Sequence, residues 1–559
     1  MATYYVSTTG SNSNSGSIDS PFSSLQYAHN LAKPGDTIYV RGGTYELTQV
    51  LKLTKDGTAD KPISVLAYKD EVPIFDGAKI PTPDEFNGRA IHLESVSWNI
   101  FKGLVITNGP DGGLLIDGNS SNNIFEQIVA HHNGRASVAE GTGIAIYGTG
   151  SNNLFLNCDS YGNYDVLGGG ENADGFAIDA GPGNVLRGCR AWDNSDDGFD
   201  FFNASFATNR KGNGVLVENC WAWGNGFGPD GTPLGDGNGF KLGGQRPGLG
   251  NTSGGHTIID AVSWDNLAAG FVANGATIAM SVINSTAYNN GTYDFQFESG
   301  KHALINNLAF ASKLGVQMTS SMTQTANSWN LPVKVTKEDF LSLLDTVARG
   351  PRQADGSLPE ITFLHLAQSS DLVDKGVDVG RASVGLPDLG AFESPWSAKG
   401  GSTASAGGSA VPAPNQVSEP NKTLKGTKGK DNLQGGDGDD LLNGKKGNDK
   451  LYGADGNDKL VGGKGNDFLA GGAGDDVLKG GKGKDAFYFA PGFGNDRIVD
   501  FKVGQDVILF DRKVFSKFAD VKDAMSGHKG GVLIDAGDSS LFLAKVKPGK
   551  LSDDDFLFA

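Results

Sequence analysis

The chain has 559 residues, 83 of them glycine and three of them cysteine, with a net charge of −17. That acidity excludes nucleic acid and anionic membrane surfaces as partners, and Cys158, Cys189 and Cys220 are too few for a disulfide framework. No apolar run is long enough to span a bilayer, and the glycines follow no triplet period, which excludes collagen.

The chain opens Met-Ala-Thr-Tyr-Tyr-Val, without the basic and apolar regions of a secretory leader, so no N-terminal signal peptide is expected. A polar stretch leads to Ser23–Ala32, where Leu25, Ala28 and Leu31 fall at helical spacing, and then to a strand over Gly35–Val40. One short amphipathic helix ahead of many strands suits a cap on a β-solenoid, whose bare edge would otherwise recruit other chains.

From about residue 60 to 310 the sequence repeats itself. One repeated line is an alternating apolar strand that closes on asparagine: Asn99–Asn108, Asn123–Asn133, Asn153–Asn163, Asn184–Asn194, Gly214–Asn225, His256–Asn266 and Ile278–Asn290. The closing asparagines recur every 24 to 41 residues, one coil of a parallel β-helix with loops of varying length. Stacked at a bend, they are expected to hydrogen-bond as a ladder. The three cysteines fall in register in successive copies, followed by Ala261, and read as an apolar column inside the coil.

A second line follows in each coil: Gly143–Ile146, Asp174–Ile178, Asp197–Phe201, Asn238–Leu242, Gly270–Ala273 and Asp294–Phe297. Strand side chains alternate faces. The column Phe176, Phe199, Phe240, Phe271, Phe295 therefore points inward and the column Ala177, Asp200, Lys241, Val272, Gln296 outward. Asp174, Asp197 and Asn238 line up two positions ahead of the phenylalanines.

Asp193, Asp196, Asp197 and Asp200 crowd four carboxylates into eight residues. Such a cluster is either a solvated acidic turn or a seat for a hard cation that wants several oxygen ligands. Asp193 belongs to the polar turn beside Asn194; Asp196, Asp197 and Asp200 gather on one edge, with Asp174 from the coil before and Lys241 from the coil after. Lys241 is either an ion-pair partner of Asp200 or a base. A lysine abstracts a proton only when its pKa is lowered, which a neighbouring divalent cation would do. That pairing suits a uronate polymer: the cation stabilises charge on the carboxylate as the C5 proton leaves, and β-elimination expels the 4-linked group. His131 and His132 lie two coils upstream and read as turn residues.

Residues 330–395 leave the repeat; Lys337–Thr346 has helical spacing, and Phe363–Ala367 with Leu372–Asp374 read as a C-terminal cap. A Gly/Ser/Ala/Pro-rich linker follows. The period then becomes nine, in seven copies from Gly426 to Tyr488 of the form G-x-x-G-x-D-x-U-x. Asp431, Asp440, Asp449, Asp458, Asp467, Asp476 and Asp485 are the expected Ca²⁺ ligands, and Leu433, Leu442, Leu451, Leu460, Leu469, Leu478 and Phe487 fill a thin core. So thin a core needs bound Ca²⁺ for much of its stability. These repeats resemble the RTX family, which implies a parallel β-roll and export by a type I secretion apparatus through an uncleaved C-terminal signal, to which Ser552–Ala559 is suited. An extracellular location without an N-terminal leader follows from that resemblance.

Three blocks of the solenoid, Glu171–Phe176, Asp193–Asp200 and Gly237–Gly244, are similar to the signature segments of family 9 polysaccharide lyases, as are Gly350–Pro359 and Asp388–Glu393. The resemblance covers roughly residues 1–395 and implies an all-β, right-handed parallel β-helix that cleaves pectate. By motif it places the catalytic Ca²⁺ on Asp174, Asp196, Asp197 and Asp200 and the base on Lys241. It leaves Arg246 at most a substrate-carboxylate contact; Asn238 is a second candidate contact. The loop Gly224–Gly237 is long for a solenoid turn and is expected to reshape the substrate groove. The expected organisation is a β-helix catalytic domain with caps over 1–395, a linker over 396–423, and the calcium-binding β-roll with its secretion signal over 424–559. The expected activity is a secreted, calcium-dependent lyase of polygalacturonate or a related acidic polysaccharide. An alginate-type lyase or uronan C5-epimerase and a non-catalytic, calcium-stabilised adhesin stand as alternatives.

Overall fold

The computed structural model describes residues 1–81, 88–134, 140–165, 168–179, 181–201, 214–244, 254–353, 355–379, 386–393, 422–489, 493–510, 514–515, 517–537 and 539–558. Arg246 and most of the expected linker lie outside the described residues. Two compact units make up the chain, Met1–Ser405 and Ala406–Ala559.

The first unit is a parallel β-helix of three sheets with 12, 10 and 10 strands. Each middle coil gives one strand to each sheet. The coil with the acidic stretch, for instance, supplies Val185–Arg187, Arg190–Trp192 and Phe199–Asp200, which pair in register with Leu216–Glu218, Trp221–Trp223 and Phe240–Lys241 of the next. The corner between the first and third sheets needs one residue in the left-handed region. Gln127, Asn157, Gly188, Asn219, Asp260, Asn284 and Asn306 fill it in successive coils, with φ between 45° and 63°; Asn, Asp and Gly tolerate that conformation best.

The core follows from the two-residue alternation. Phe176, Phe199, Phe240, Phe271 and Phe295 are fully buried and stack with centroids 4.7–5.0 Å apart and planes within 8°, a spacing set by the strand separation. Cys158, Cys189 and Cys220 form the expected inward column. At the N-terminal end the helix is shorter than expected, Leu25–Leu31, capped by Ser24, and lays Leu25, Ala28 and His29 on the core.

The asparagine ladder runs from Asn133 through Asn163, Asn194, Asn225 and Asn266 to Asn290, each Nδ2 donating to the next Oδ1 over 2.8–3.0 Å. Asn108 is not its first rung. The N–H of Gly109 donates to Asn133 Oδ1 instead, while Asn108, with φ 56°, donates to Asp76. A second ladder, Asn99–Asn123–Asn153–Asn184, runs along the start of the first sheet's strands, whereas the first ladder follows the strands of the third.

The segment after residue 330 departs from expectation. Lys337–Asp339 makes only a 3-10 turn, and Phe340 and Ser342 bridge to Leu366 and Phe363. The segment does not close the end of the coil but lies along its side. Phe340, Leu358, Phe363, Leu364, Leu366 and Leu372 cover the outward faces of Trp221, Trp223 and Trp264. Arg352 then reaches back to Asp159 and the carbonyls of Cys158 and Gly188. The apolar spacing that suggested a helix and a cap is that of a strap on an aromatic sheet face.

In the second unit the nonapeptide strands alternate between an eight-stranded and a six-stranded sheet. Leu424, Leu442, Leu460, Leu478 and Ile498 are register partners in one, Leu433, Leu451, Leu469, Phe487 and Ile508 in the other. The roll is not parallel throughout: Met525–His528, Gly531–Asp535 and Ser540–Ala544 pair antiparallel. Phe489, Phe493, Phe501, Phe510 and Phe556 extend the leucine rows into a thicker core than the repeats alone provide. Phe556–Phe558 pairs with the strand Val507–Phe510.

Candidate active site

The second sheet carries the site on its outer face. Ala177, Asp200, Lys241, Val272 and Gln296 are register partners in that order, as the alternation predicts. One edge of the same strands carries Asp174, Asp197 and Asn238: the Asp197 N–H donates to Asp174 Oδ1 (3.3 Å) and the Asn238 N–H to Asp197 Oδ1 (2.6 Å). Carboxylates on successive coils are thereby held by the backbone of the next.

Asp174, Asp196 and Asp197 each bring a carboxylate oxygen within 4.8 Å of the others, and all three are buried. Burial pushes the Asp174 and Asp196 carboxyls well above the usual carboxylate range, and their charged neighbours, Asp200, Asp196 and Asp197 about Asp174 and Asp197 about Asp196, push further. Hard oxygen donors packed this closely, and mutually repelling without a counter-charge, fit a Ca²⁺ ion.

Lys241 is the counter-charge in the structure. Its Nζ lies 3.0 Å from Asp197 Oδ2, 3.5 Å from Asp200 Oδ2 and 2.9 Å from Asp236 Oδ2, with the side chain 10% exposed. Burial alone would lower its pKa. The charges of Asp197, Asp200, Asp196 and Asp236 outweigh burial and hold it well above the ordinary lysine value. The lowered pKa expected of a base is thus not a property of the carboxylates and lysine alone.

Asn238 gives one side-chain N–H to Asp197 Oδ1 (2.9 Å) and accepts the Ala269 N–H on its side-chain oxygen (3.1 Å), so it orients a carboxylate. Asp236 was missed. It sits in the loop Gly224–Gly237, off the coil register, and returns to the site with its N–H on Asp196 Oδ1 (2.6 Å). Asp193 stays apart, in the turn with φ 50°.

In the second unit the repeat aspartates form two ladders. In each, a carboxylate Oδ1 accepts the N–H of the aspartate two repeats before, as from Asp431 to Asp449 and from Asp440 to Asp458. The Oδ2 atoms of Asp440, Asp449, Asp467, Asp476 and Asp485 are buried with no hydrogen-bond partner. Burial pushes Asp476 up to about 7 and Asp485 to about 6. Oxygens left so are what a bound cation would satisfy. Asp496 and Asp506 continue the ladders past the last repeat, on Asp476 and Asp485. The Gly-x-Asp-x-Ile pattern at Gly494–Ile498 and Gly504–Ile508 is the signal that could have found them.

Residues 4–307 match the family described as the Pel9A-like right-handed β-helix region, and residues 423–451 and 452–487 match the RTX calcium-binding nonapeptide repeat. Pectate lyase PEL9 of Emericella nidulans is 36% identical over 394 residues, 66% of this chain and 94% of that protein. The crystal structure of pectate lyase Pel9A superposes with a TM-score of 0.61 at 34% identity, over 70% of this chain and 96% of the other. A rhamnogalacturonan lyase superposes at 0.57 with 29% identity, over 66% and 97%.

Proposed function

Since the chain belongs to the Pel9A-like family of right-handed β-helix polysaccharide lyases and carries RTX calcium-binding repeats, we propose that it cleaves 4-linked polygalacturonate by β-elimination, with Lys241 as the base. The observation that carries this reading is the placement of Lys241 Nζ within 3.0 to 3.5 Å of Asp197 and Asp200, beside the buried carboxylates of Asp174 and Asp196.

Asp174, Asp196, Asp197 and Asp200 would hold the Ca²⁺ ion. When bound, the ion supplies Lewis acidity toward the uronate carboxylate and offsets the aspartate charges that keep Lys241 protonated. What then acts on Lys241 is burial, which favours the neutral amine, against the remaining charge of Asp236. Lys241 Nζ takes the proton from C5; the electron pair becomes the C4–C5 double bond as the C4–O bond breaks, and the leaving oxygen is protonated by water. Asn238 keeps Asp197 turned toward the cluster.

RTX repeats, which go with type I export, and relatives that are pectate lyases support an extracellular site of action on acidic polysaccharide. The 29% identical rhamnogalacturonan lyase favours one second reading, a backbone in which galacturonate alternates with rhamnose.

Wild-type protein and Lys241→Ala, each with Ca²⁺ and with chelator, should be followed on polygalacturonate and rhamnogalacturonan by the ultraviolet absorbance of 4,5-unsaturated uronates. Product from the wild type alone, and only with Ca²⁺, is expected. Turnover by Lys241→Ala sinks the base assignment, and acid-altered chains without unsaturated ends indicate C5 epimerisation.

A further inference from the structure

We propose that Asp236 is the positioning residue for Lys241, delivered by the loop Gly224–Gly237; the proposal rests on the reading of Lys241 as the base. Of the three carboxylates around Lys241 Nζ, Asp197 and Asp200 are also assigned to the cation, and a carboxylate turned to a metal ion is a poorer anchor for an amine. The buried trio Asp174, Asp196 and Asp197 leaves Asp200 and Asp236 outside it, and of these two Asp236 lies nearer Lys241 Nζ, 2.9 Å against 3.5 Å.

Asp236 faces both ways. Its N–H is fixed on Asp196 Oδ1 at 2.6 Å while its carboxylate extends to Lys241. Asp236 therefore links Asp196 to the amine through a single residue. A neutral lysine keeps two N–H donors, and one of them spent on Asp236 fixes the direction of the lone pair that must meet the C5 proton.

The backbone around Asp236 is built to hold it there. Gly235 and Gly237 have φ of 58° and 69°. A Cβ on Gly235 would come within 2.4 Å of the Gly170 carbonyl oxygen and 2.5 Å of that of Ser195; one on Gly237 would come within 2.6 Å of Leu267 Cβ and 2.8 Å of Gly226 Cα. The rest of the loop closes on itself, with Leu234 N–H on the Gly226 carbonyl and Gly228 N–H on that of Thr232. The Asp236 side chain is 62% exposed, whereas those of Asp197 and Asp200 are 0% and 13% exposed, so it stands on the solvent side of the lysine.

The test is Asp236→Asn and Asp236→Glu in the full chain, beside wild type, Lys241→Ala and Asp197→Asn. Steady-state kinetics are combined with equilibrium dialysis against radioactive Ca²⁺ to count ions bound per chain. For Asp236→Asn we expect kcat to fall between about tenfold and a hundredfold, KM to stay within about threefold, and the ion count to equal that of the wild type. Asp236→Glu should recover most of kcat, and Asp197→Asn should lose one ion. An unchanged kcat in Asp236→Asn overturns the proposal while leaving Lys241 as the base. A lost ion overturns it by making Asp236 a ligand. Full turnover in Lys241→Ala removes the reading on which it stands, and the proposal with it.

Discussion

Asp200 and Lys241 are 41 residues apart in sequence and direct register partners on adjacent strands, carboxylate to ammonium 3.5 Å. The pairing of one coil on the next sets the two strand positions, whatever the length of the loop between them.

Asn238→Ala separates orientation from substrate contact. Its amide holds Asp197 Oδ1, and loss of a group that orients a metal ligand typically weakens metal affinity 10–100-fold. The Ca²⁺ concentration for half-maximal activity should rise by about that factor, with KM for the polymer at saturating Ca²⁺ nearly unchanged. A raised KM alone would return Asn238 to the substrate.

Asn194→Ala should destabilise the β-helix by about 2–4 kcal/mol, because Asn163 loses its acceptor and Asn225 a donor, each in a fully buried ladder. Asn108→Gly, outside the ladder, should cost under about 1 kcal/mol, since glycine accepts its φ of 56°. Denaturant titration of the two variants checks the contrast.

His256 predicts acid sensitivity. It is buried, accepts the Val215 N–H on Nδ1, and is pushed down to about 3 by burial. The unfolded chain then binds more protons than the folded one between about pH 6.5 and 3. Its contribution is fully present above about 6.5 and is lost as pH falls, by up to about 1.4 kcal/mol per unit. His256→Asn should flatten that part of the stability profile. Equal slopes in the two proteins would exclude His256 as the source.

Chelation should unfold the second unit and spare the first. Buried, unpartnered Oδ2 atoms on Asp449, Asp467 and Asp485 face one another's repulsion without a cation, whereas the phenylalanine and asparagine stacks of the β-helix need none. Circular dichroism should show a cooperative gain of strand signal near about 10⁻⁴–10⁻³ M Ca²⁺, reduced by Asp467→Ala.

Much of this was legible because a solenoid turns sequence phase into spatial position. Alternation placed Phe199 inside and Asp200 outside, and coil phase put Lys241 beside Asp200. Where phase lapses, so does the reading. Asp236 lies in a loop without register. The apolar residues near Phe340 obey helical spacing yet serve an aromatic sheet face, which local pattern does not contain. Asn238 was placed in the right column, but its hold on Asp197 was not legible, because phase fixes where a residue stands and not which of its atoms its neighbours use.

The loops between coils vary from a few residues to many while the strands they join keep strict register. The scaffold therefore behaves like a rack with fixed shelf spacing: an insertion between strands changes what overhangs the groove, whereas a slip by one whole coil would carry Lys241 about 4.8 Å from its acids. Variation that alters which polymer is admitted can accumulate in the overhangs while the strand register under Asp200 and Lys241 stays fixed.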